Sequence, residues 1–161
     1  MSWGNLLLGI DPGLANTGWA VIDEGCQIIS SGTIRTTPGP TAPRLHAIIS
    51  DLSAVLNQQP IVEAAIEELF AGRNTTSVIL VAQAKGAILA ALAAAQIPVY
   101  EYKPAQIKVV LTGYGNADKR QMAKVIALQT KASTKMDDHA VDAVAIAICH
   151  ARSRRIRLLA R

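Results

Sequence analysis

Three carboxylates in the sequence stand where a charged side chain is energetically costly. Asp11 directly follows the apolar run Leu6–Ile10, and Glu67 follows a second apolar run. Asp142 lies within an alanine- and valine-rich stretch that is apolar on nearly every side. A carboxylate in such surroundings is unfavourable unless it is paired or binds a cation. These three side chains are therefore the first candidates for chemistry.

An imidazole and a fourth carboxylate lie close to Asp142 in the sequence. His139 precedes Asp142 by three residues and Asp138 precedes it by four, so all three share one side of a helix. Oxygen ligands suit Mg²⁺ or Mn²⁺, and one imidazole among them shifts the balance modestly towards Mn²⁺. Two such ions about 3.5–4 Å apart could support phosphoryl transfer.

Each of these residues alone has a simpler explanation. Asp11 before Pro-Gly could be a turn residue, and Glu67 with Glu68 could be a solvated pair. Asp137 or Asp138 could cap a helix, and His139 could be an ordinary residue of a first helical turn. The combination at one edge of a sheet, beside a basic half of the chain, favours the functional interpretation.

The charge is distributed unevenly along the chain. Residues 1–80 carry three Lys/Arg against seven Asp/Glu, whereas residues 81–161 carry thirteen against five. This asymmetry indicates a polyanionic partner, although a solvated basic face with a frayed tail would give the same pattern.

Composition also bears on the compartment. The two cysteines, Cys26 and Cys149, lack metal-type spacing and fit a reducing compartment, and no signal peptide is evident, so we expect a cytoplasmic protein. The apolar stretch Val78–Ile97 contains Gln83 and Lys85, which favours a buried helix over a membrane span.

Periodicity and turn residues predict the elements that position these side chains. The predicted strands are Leu6–Asp11, Thr17–Asp23, Cys26–Thr36, Ile61–Glu67 and Ile97–Tyr102. The predicted helices are one with apolar positions from Leu45 to Leu56, then Thr75–Ala95, Pro104–Thr112, Asp118–Gln129 and Asp137–His150. The order βββαβαβ followed by helices predicts an α/β fold, with a five-stranded mixed sheet flanked by helices on both faces. We expect one domain over residues 1–151 and a basic tail over residues 152–161.

The motifs as a set resemble one known family. The resemblance covers Leu8–Gly13 with Thr17-Gly18, Ala65–Phe70, Gln83–Gly86, Tyr102–Lys108, Gly113–Lys119 and Asp137–Ala147. In this order they resemble the RuvC Holliday-junction resolvases, which have the ribonuclease H-like fold.

This resemblance implies a role for particular residues. Asp11, Glu67, His139 and Asp142 would be the catalytic metal ligands, and Asp138 is a possible further ligand, because some family members have Asp where this chain has His139. The expected DNA-binding residues are the junction-stacking Phe70, Lys108 and Lys119 near the scissile phosphate, and Lys85 on the long helix.

The resemblance also implies an activity. The chain would be a structure-selective endonuclease that resolves Holliday junctions by paired symmetric nicks in recombination and repair, with two Mg²⁺ or Mn²⁺ ions per active site. It would act as a homodimer, with part of the dimer surface on Thr75–Ala95. Its partners would be a four-way DNA junction and the RuvA and RuvB branch-migration proteins. No association with a membrane is expected.

Three other functions would account for part of this pattern. Another ribonuclease H-like nuclease would share the metal site but lack the junction features. An actin-like ATPase needs two lobes, for which 161 residues leave no room. A catalytically inactive junction-binding module is disfavoured, because all four metal positions carry side chains able to bind a metal.

Overall fold

The computed structural model describes residues 4–69, 74–130 and 135–160, which fold around one five-stranded sheet. The strands are β1 (Leu6–Asp11), β2 (Asn16–Ile22), β3 (Ile28–Arg35), β4 (Ile61–Glu67) and β5 (Val99–Tyr102). Across the sheet they run β3-β2-β1-β4-β5. The first three strands in the chain pair antiparallel, whereas β4 is parallel to both β1 and β5. The predicted five-stranded mixed sheet is confirmed.

Helices cover both faces of the sheet, as predicted. They are α1 (Thr41–Gln58), α2 (Thr75–Ala94), α3 (Pro104–Thr112), α4 (Lys119–Thr130) and α5 (Asp138–Leu159). Helices α1 and α2 pack on one face, and α5, with α3 and α4 beside it, packs on the other. The core is therefore divided into two apolar layers by the sheet.

Strand β1 is the centre of both layers. Leu6, Leu8 and Ile10 belong to the layer under α1 and α2, while Leu7 belongs to the layer under α5. A central strand that is buried on both faces has a continuous apolar sequence, and this is why β1 is recognisable from the sequence. Its only charged residue is Asp11, at the end.

Helix α5 lies directly on the backbone of β1 and β2, because glycines face it. A Cβ added at Gly9 would come within 2.2 Å of the Ala143 carbonyl oxygen, and one added at Gly18 within 1.9 Å of the His139 carbonyl oxygen. Side-chain atoms at these positions would push the helix away. The two glycines therefore let the first turns of α5 approach the end of β1.

Helix α2 is long and apolar enough, by length and composition alone, to cross a membrane. However, it packs against α1 and contributes Ala84, Ile88 and Leu92 to the core. Only 28% of its most apolar window is buried, so the helix also presents apolar surface outwards.

Helix α5 continues beyond the predicted end at His150 to Leu159. The guanidinium of Arg154 forms ion pairs with Glu24 at 2.5 Å and Glu63 at 3.2 Å, and Arg157 lies 4.4 Å over the ring of Tyr100. Acidic and aromatic groups from distant strands thus hold these last turns, and no local sequence pattern reveals that.

His150 connects the same group of side chains to the core. Its Nδ1 lies 2.8 Å from the Tyr102 hydroxyl and its Nε2 lies 2.8 Å from a Glu63 carboxylate oxygen. Burial lowers the pKa of His150 to about 4, so the imidazole is neutral near pH 7. A neutral ring that donates from Nε2 to Glu63 and accepts the Tyr102 proton at Nδ1 satisfies both contacts.

The close approach of α5 gives a first prediction. We expect Gly18→Ala to lower the free energy of unfolding by about 3 kcal/mol or more, because the added methyl group overlaps a backbone carbonyl that cannot move without the helix. Urea denaturation followed by circular dichroism measures this change.

Gly115→Ala is the matched control, because its added Cβ lies no closer than 3.4 Å to any neighbour. This variant should remain within about 1 kcal/mol of the wild-type protein. Equal stability of the two variants would contradict the close packing of α5 on β2.

Candidate active site

Two of the predicted carboxylates meet at one edge of the sheet because β1 and β4 are parallel neighbours. The strands pair in register up to Ile10 and Ile66, and the next residues are Asp11 and Glu67. The carboxyl ends of parallel strands are the usual place for sites in open α/β sheets. The sequence-based placement of both residues at this edge is therefore matched by the structure.

The first turns of α5 bring the imidazole and the third carboxylate to the same edge. Nδ1 of His139 lies 3.5 Å from Oδ2 of Asp11, and Asp142 lies one turn further along the helix. Oδ2 of Asp142 in turn lies 3.9 Å from Nζ of Lys119 at the start of α4.

The start of α5 is fixed by a residue that the sequence analysis considered only as a cap. The Asp137 carboxylate accepts hydrogen bonds from the Ala140 backbone N–H at 2.9 Å and the Thr33 hydroxyl at 2.7 Å. It also forms a 2.6 Å ion pair with Arg35. The Ala140 hydrogen bond is the main reason that the pKa of Asp137 lies below its usual value. Asp137 therefore ties the helix to β3 and sets the position of His139.

The three carboxylates line one cavity of about 300 Å³. Asp11, Glu67 and Asp142 line it together with Lys108 from α3 and Lys119 from α4. The remaining lining is mostly apolar and includes residues of all three helices on this face. A second, larger groove of about 530 Å³ shares Lys108 with this cavity and is lined by Lys103, Asn116 and Leu69 among others.

The three carboxylates are held close to one another in partly buried positions. Burial and the charge of Asp142 raise the pKa of Asp11 to about 6. Burial, with the charges of Asp11 and Asp142, raises the pKa of Glu67 to about 7. Burial also raises the pKa of Asp142, against the opposing effect of Lys119. The cluster therefore has more negative charge than its neighbours neutralise.

The chemistry of these side chains fits divalent cations. Three carboxylates and one imidazole are the ligand types that Mg²⁺ and Mn²⁺ accept, and a bound cation would stabilise the charged carboxylates, which burial and their mutual repulsion disfavour. Within the described residues, no three such side chains already form a compact metal-binding group. The three carboxylates thus share one open cavity, and the His139 imidazole, which does not line it, lies beside Asp11.

The other predicted site residues, apart from Lys85, divide into three groups. Lys108 and Lys119 line the cavity. Asp138 is exposed and is absent from the cavity lining. Phe70 lies outside the described residues.

Lys85 lies in a different place from the one expected. The residue is 6% exposed, and its ammonium contacts Glu101 and the backbone carbonyl of Glu67. The ammonium is therefore paired within the protein and is not presented at its surface. Glu101 was not predicted as part of the site. A lysine in an apolar helix, together with an acidic residue in the short strand β5, could have indicated an ion pair between them.

Comparison with known proteins identifies the family to which this chain is similar. The family model described as "Crossover junction endodeoxyribonuclease RuvC" matches residues 7–150. A protein of that name from Roseiflexus sp. is 44% identical over 148 residues, which is 89% of this chain and 88% of the relative. A protein of the same name from Chloroflexus aggregans is also 44% identical, over 149 residues, with 89% and 91% of the two chains covered.

The fold also matches a solved structure along nearly its whole length. The structure of T. thermophilus RuvC in complex with a Holliday junction substrate superimposes with a TM-score of 0.89 at 30% identity, covering 95% of this chain and 96% of that one. The ribonuclease H-like fold expected from the motifs is thereby confirmed.

The raised pKa values predict how stability depends on pH when divalent cations are removed. Asp11 and Glu67 titrate near 6 and 7 in the folded protein but near 4 in an unfolded chain. Between these values the folded protein binds more protons than the unfolded one, so stability falls as the pH rises from about 4 to about 7.

Asp11→Asn removes part of this dependence. In EDTA, we expect the variant to gain stability relative to the wild-type protein by roughly 1–3 kcal/mol between about pH 4 and pH 7.5. Urea denaturation at both pH values measures the difference, with Asp51→Asn at an exposed position of α1 as the control. The same stability difference at both pH values would show that Asp11 is not part of a repulsive cluster.

Proposed function

The chain belongs to the RuvC family of crossover junction endodeoxyribonucleases, and we propose that the cavity at the end of β1 and β4 is where it cuts DNA. The protein is a DNA endonuclease that resolves Holliday junctions. The observation that supports this location is the convergence of three carboxylates and two lysines in one cavity. We propose a single nuclease domain that extends beyond the predicted boundary at residue 151, because α5 continues to Leu159 and its last turns contact Glu63 and Tyr100.

The family depends on divalent metal ions, and we propose two Mg²⁺ or Mn²⁺ ions in each active site. Asp11, on the central strand, would help to hold both ions, and Glu67, His139 and Asp142 would complete the set of ligands. Bound divalent ions supply a nucleophilic water at neutral pH and neutralise charge on the phosphate. The raised pKa values of the carboxylates support this proposal, because they indicate that a positive charge would be stabilised there.

Two lysines are suited to the developing negative charge of the phosphate. Lys108 of α3 and Lys119 of α4 both line the cavity that the three carboxylates share. A fixed positive charge that faces the scissile phosphate stabilises the transition state more than the ground state. Lys119 is 83% exposed, so its ion pair with Asp142 leaves it accessible to a phosphate.

We propose that the junction strands follow the basic side of the cavity. The groove that begins at Lys108 continues past Lys103 and Asn116, and would accept the strand next to the cut phosphate. Phe70, adjacent in sequence to the groove residue Leu69, is proposed to stack on an unpaired base at the crossover. RuvA and RuvB are the proposed protein partners, and a cytoplasmic location is proposed from the family.

A homodimer is proposed because a four-way junction needs two nicks related by two-fold symmetry. Helix α2 has the surface for this contact. Ile79 is 52% exposed and Leu80 is 36% exposed, and the exposed positions Gln83, Gly86 and Ala90 continue the same side of the helix. Small residues beside exposed aliphatic ones allow two helices to approach closely.

The proposed dimer surface predicts a loss of assembly on substitution. The double variant Ile79→Glu/Leu80→Glu should be monomeric in sedimentation velocity while keeping its helix content, because both side chains are exposed in the single chain. The monomer should give mostly single nicks in place of paired ones.

Leu128→Glu serves as the matched control, since Leu128 is an exposed leucine on α4 with 74% of its surface accessible. It should leave the sedimentation coefficient unchanged. If the Ile79→Glu/Leu80→Glu variant were still a dimer, the dimer interface would lie elsewhere on the protein.

Cleavage of a mobile four-way junction, compared with a linear duplex and an RNA–DNA hybrid of the same sequence, tests the function. We expect paired symmetric nicks in the junction only, which require Mg²⁺ or Mn²⁺ and stop with EDTA. Asp11→Asn should reduce cutting to background and leave junction binding nearly unchanged, because the carboxylate acts on metal ions and not on DNA. Asp51→Asn should cut like the wild-type protein.

Other results would contradict particular parts of this proposal. Equal cutting of the duplex or the hybrid would be consistent with the proposed metal site but would contradict the proposed selectivity for junctions. Tight junction binding without cutting in either metal would indicate a binding module.

A further inference from the structure

Lys85 is a buried cation on a helix that is otherwise rich in alanine, leucine and isoleucine. Only 6% of the residue is exposed. Taking an ammonium out of water is costly unless it is paired and hydrogen-bonded. The structure supplies both kinds of partner, because Nζ lies 2.5 Å from a Glu101 carboxylate oxygen and 3.3 Å from the backbone carbonyl oxygen of Glu67.

The second of these partners belongs to the backbone of the residue assigned to the metal site. Glu67 is the last residue of β4 and pairs with Tyr102 of β5. The next backbone N–H, that of Glu68, donates to the Tyr102 carbonyl at 2.8 Å. The Lys85 ammonium therefore adds a contact from α2 at the point where β4 ends and the chain leaves the sheet.

Glu101 fixes the position of the ammonium. It lies on β5 opposite Ile66, one position before the Tyr102 and Glu67 pair. Its side chain is 45% exposed, whereas that of Lys85 is 7% exposed, so the carboxylate keeps contact with water while the ammonium does not. The pair joins α2, β4 and β5 beside the cavity.

We propose that Lys85, held by Glu101, is a positioning residue that fixes the end of β4 so that the Glu67 carboxylate is presented to the metal site. This proposal rests on the metal site assigned above. It predicts that loss of the Lys85 contact weakens metal binding without weakening the contact with DNA. Residues that orient metal ligands in this indirect way typically change metal affinity by about 10- to 100-fold.

The test uses the full chain and four variants. Lys85→Met removes the charge and keeps the length of the side chain, and Lys85→Arg keeps the charge. The double variant Lys85→Met/Glu101→Gln avoids leaving an unpaired carboxylate if the single variant folds poorly. Lys124→Met removes a charge from an exposed position of α4 and is the control for net charge.

Three quantities are measured on each variant: Mn²⁺ affinity of the protein alone by calorimetry, junction affinity in EDTA at several salt concentrations, and urea stability. We expect Lys85→Met and the double variant to bind Mn²⁺ about tenfold or more weakly. Their junction affinity and its salt dependence should match those of the wild-type protein. Lys85→Arg should restore most of the Mn²⁺ affinity, and Lys124→Met should not change it.

Two results would overturn the proposal. Weaker junction binding with a shallower salt dependence, at unchanged Mn²⁺ affinity, would mean that Lys85 contacts a phosphate. Lower stability with unchanged Mn²⁺ affinity in the folded variants would mean that the pair is only structural. A wild-type protein that binds Mn²⁺ but does not cut junctions would overturn the proposed function and leave the role of Lys85 standing.

Discussion

The active site depends on one steric constraint, the direct contact between helix α5 and the backbone of strands β1 and β2. The contact requires glycine at positions 9 and 18, where any side chain would overlap backbone atoms of α5. Small residues on the helix, such as Ala143 and Ala147, complete the fit. Because the helix lies so close, its first two turns bring His139 and Asp142 to the end of the central strand. Chemistry at this edge therefore follows from packing at the centre of the sheet.

The same packing holds carboxylates together against their mutual repulsion, and the surrounding structure offsets that cost. Asp137 ties the start of α5 to β3 through Thr33 and Arg35. At the opposite end of the helix, Arg154 joins acidic groups that β4 and the β2–β3 turn supply. Helix α2 carries both the exposed apolar residues proposed for the dimer and Lys85, which reaches the end of β4. The backbone elements that carry the candidate metal ligands are thus held from several sides, although the ligand side chains themselves do not yet form a compact group.

Much of this architecture could be predicted from the sequence, and the failures have physical causes. Strand β1 is a long apolar run, and β4 has a shorter one over residues 64–66. Each run ends in a carboxylate, so the positions of Asp11 and Glu67 were predictable. Strand β5 begins later than predicted because the Ile97 N–H donates to Leu92, which makes Ile97 part of the turn after α2. The last turns of α5 and the burial of Lys85 depend on partners far away in the sequence, such as Glu24 and Glu101. Periodicity detects the apolar side of a helix, but it cannot identify a distant partner for a charge.

The most direct test of this account is a crystal structure of the wild-type protein grown with Mn²⁺, with the metal located by anomalous scattering. The account predicts two Mn²⁺ peaks at the end of β1, with Asp11 contacting both and with Glu67, His139 and Asp142 each contacting at least one. Helix α5 should remain in contact with Gly9 and Gly18. Mn²⁺ bound elsewhere, or bound at this edge without Asp11, would contradict the central claim that the packing of α5 on the sheet assembles the metal site.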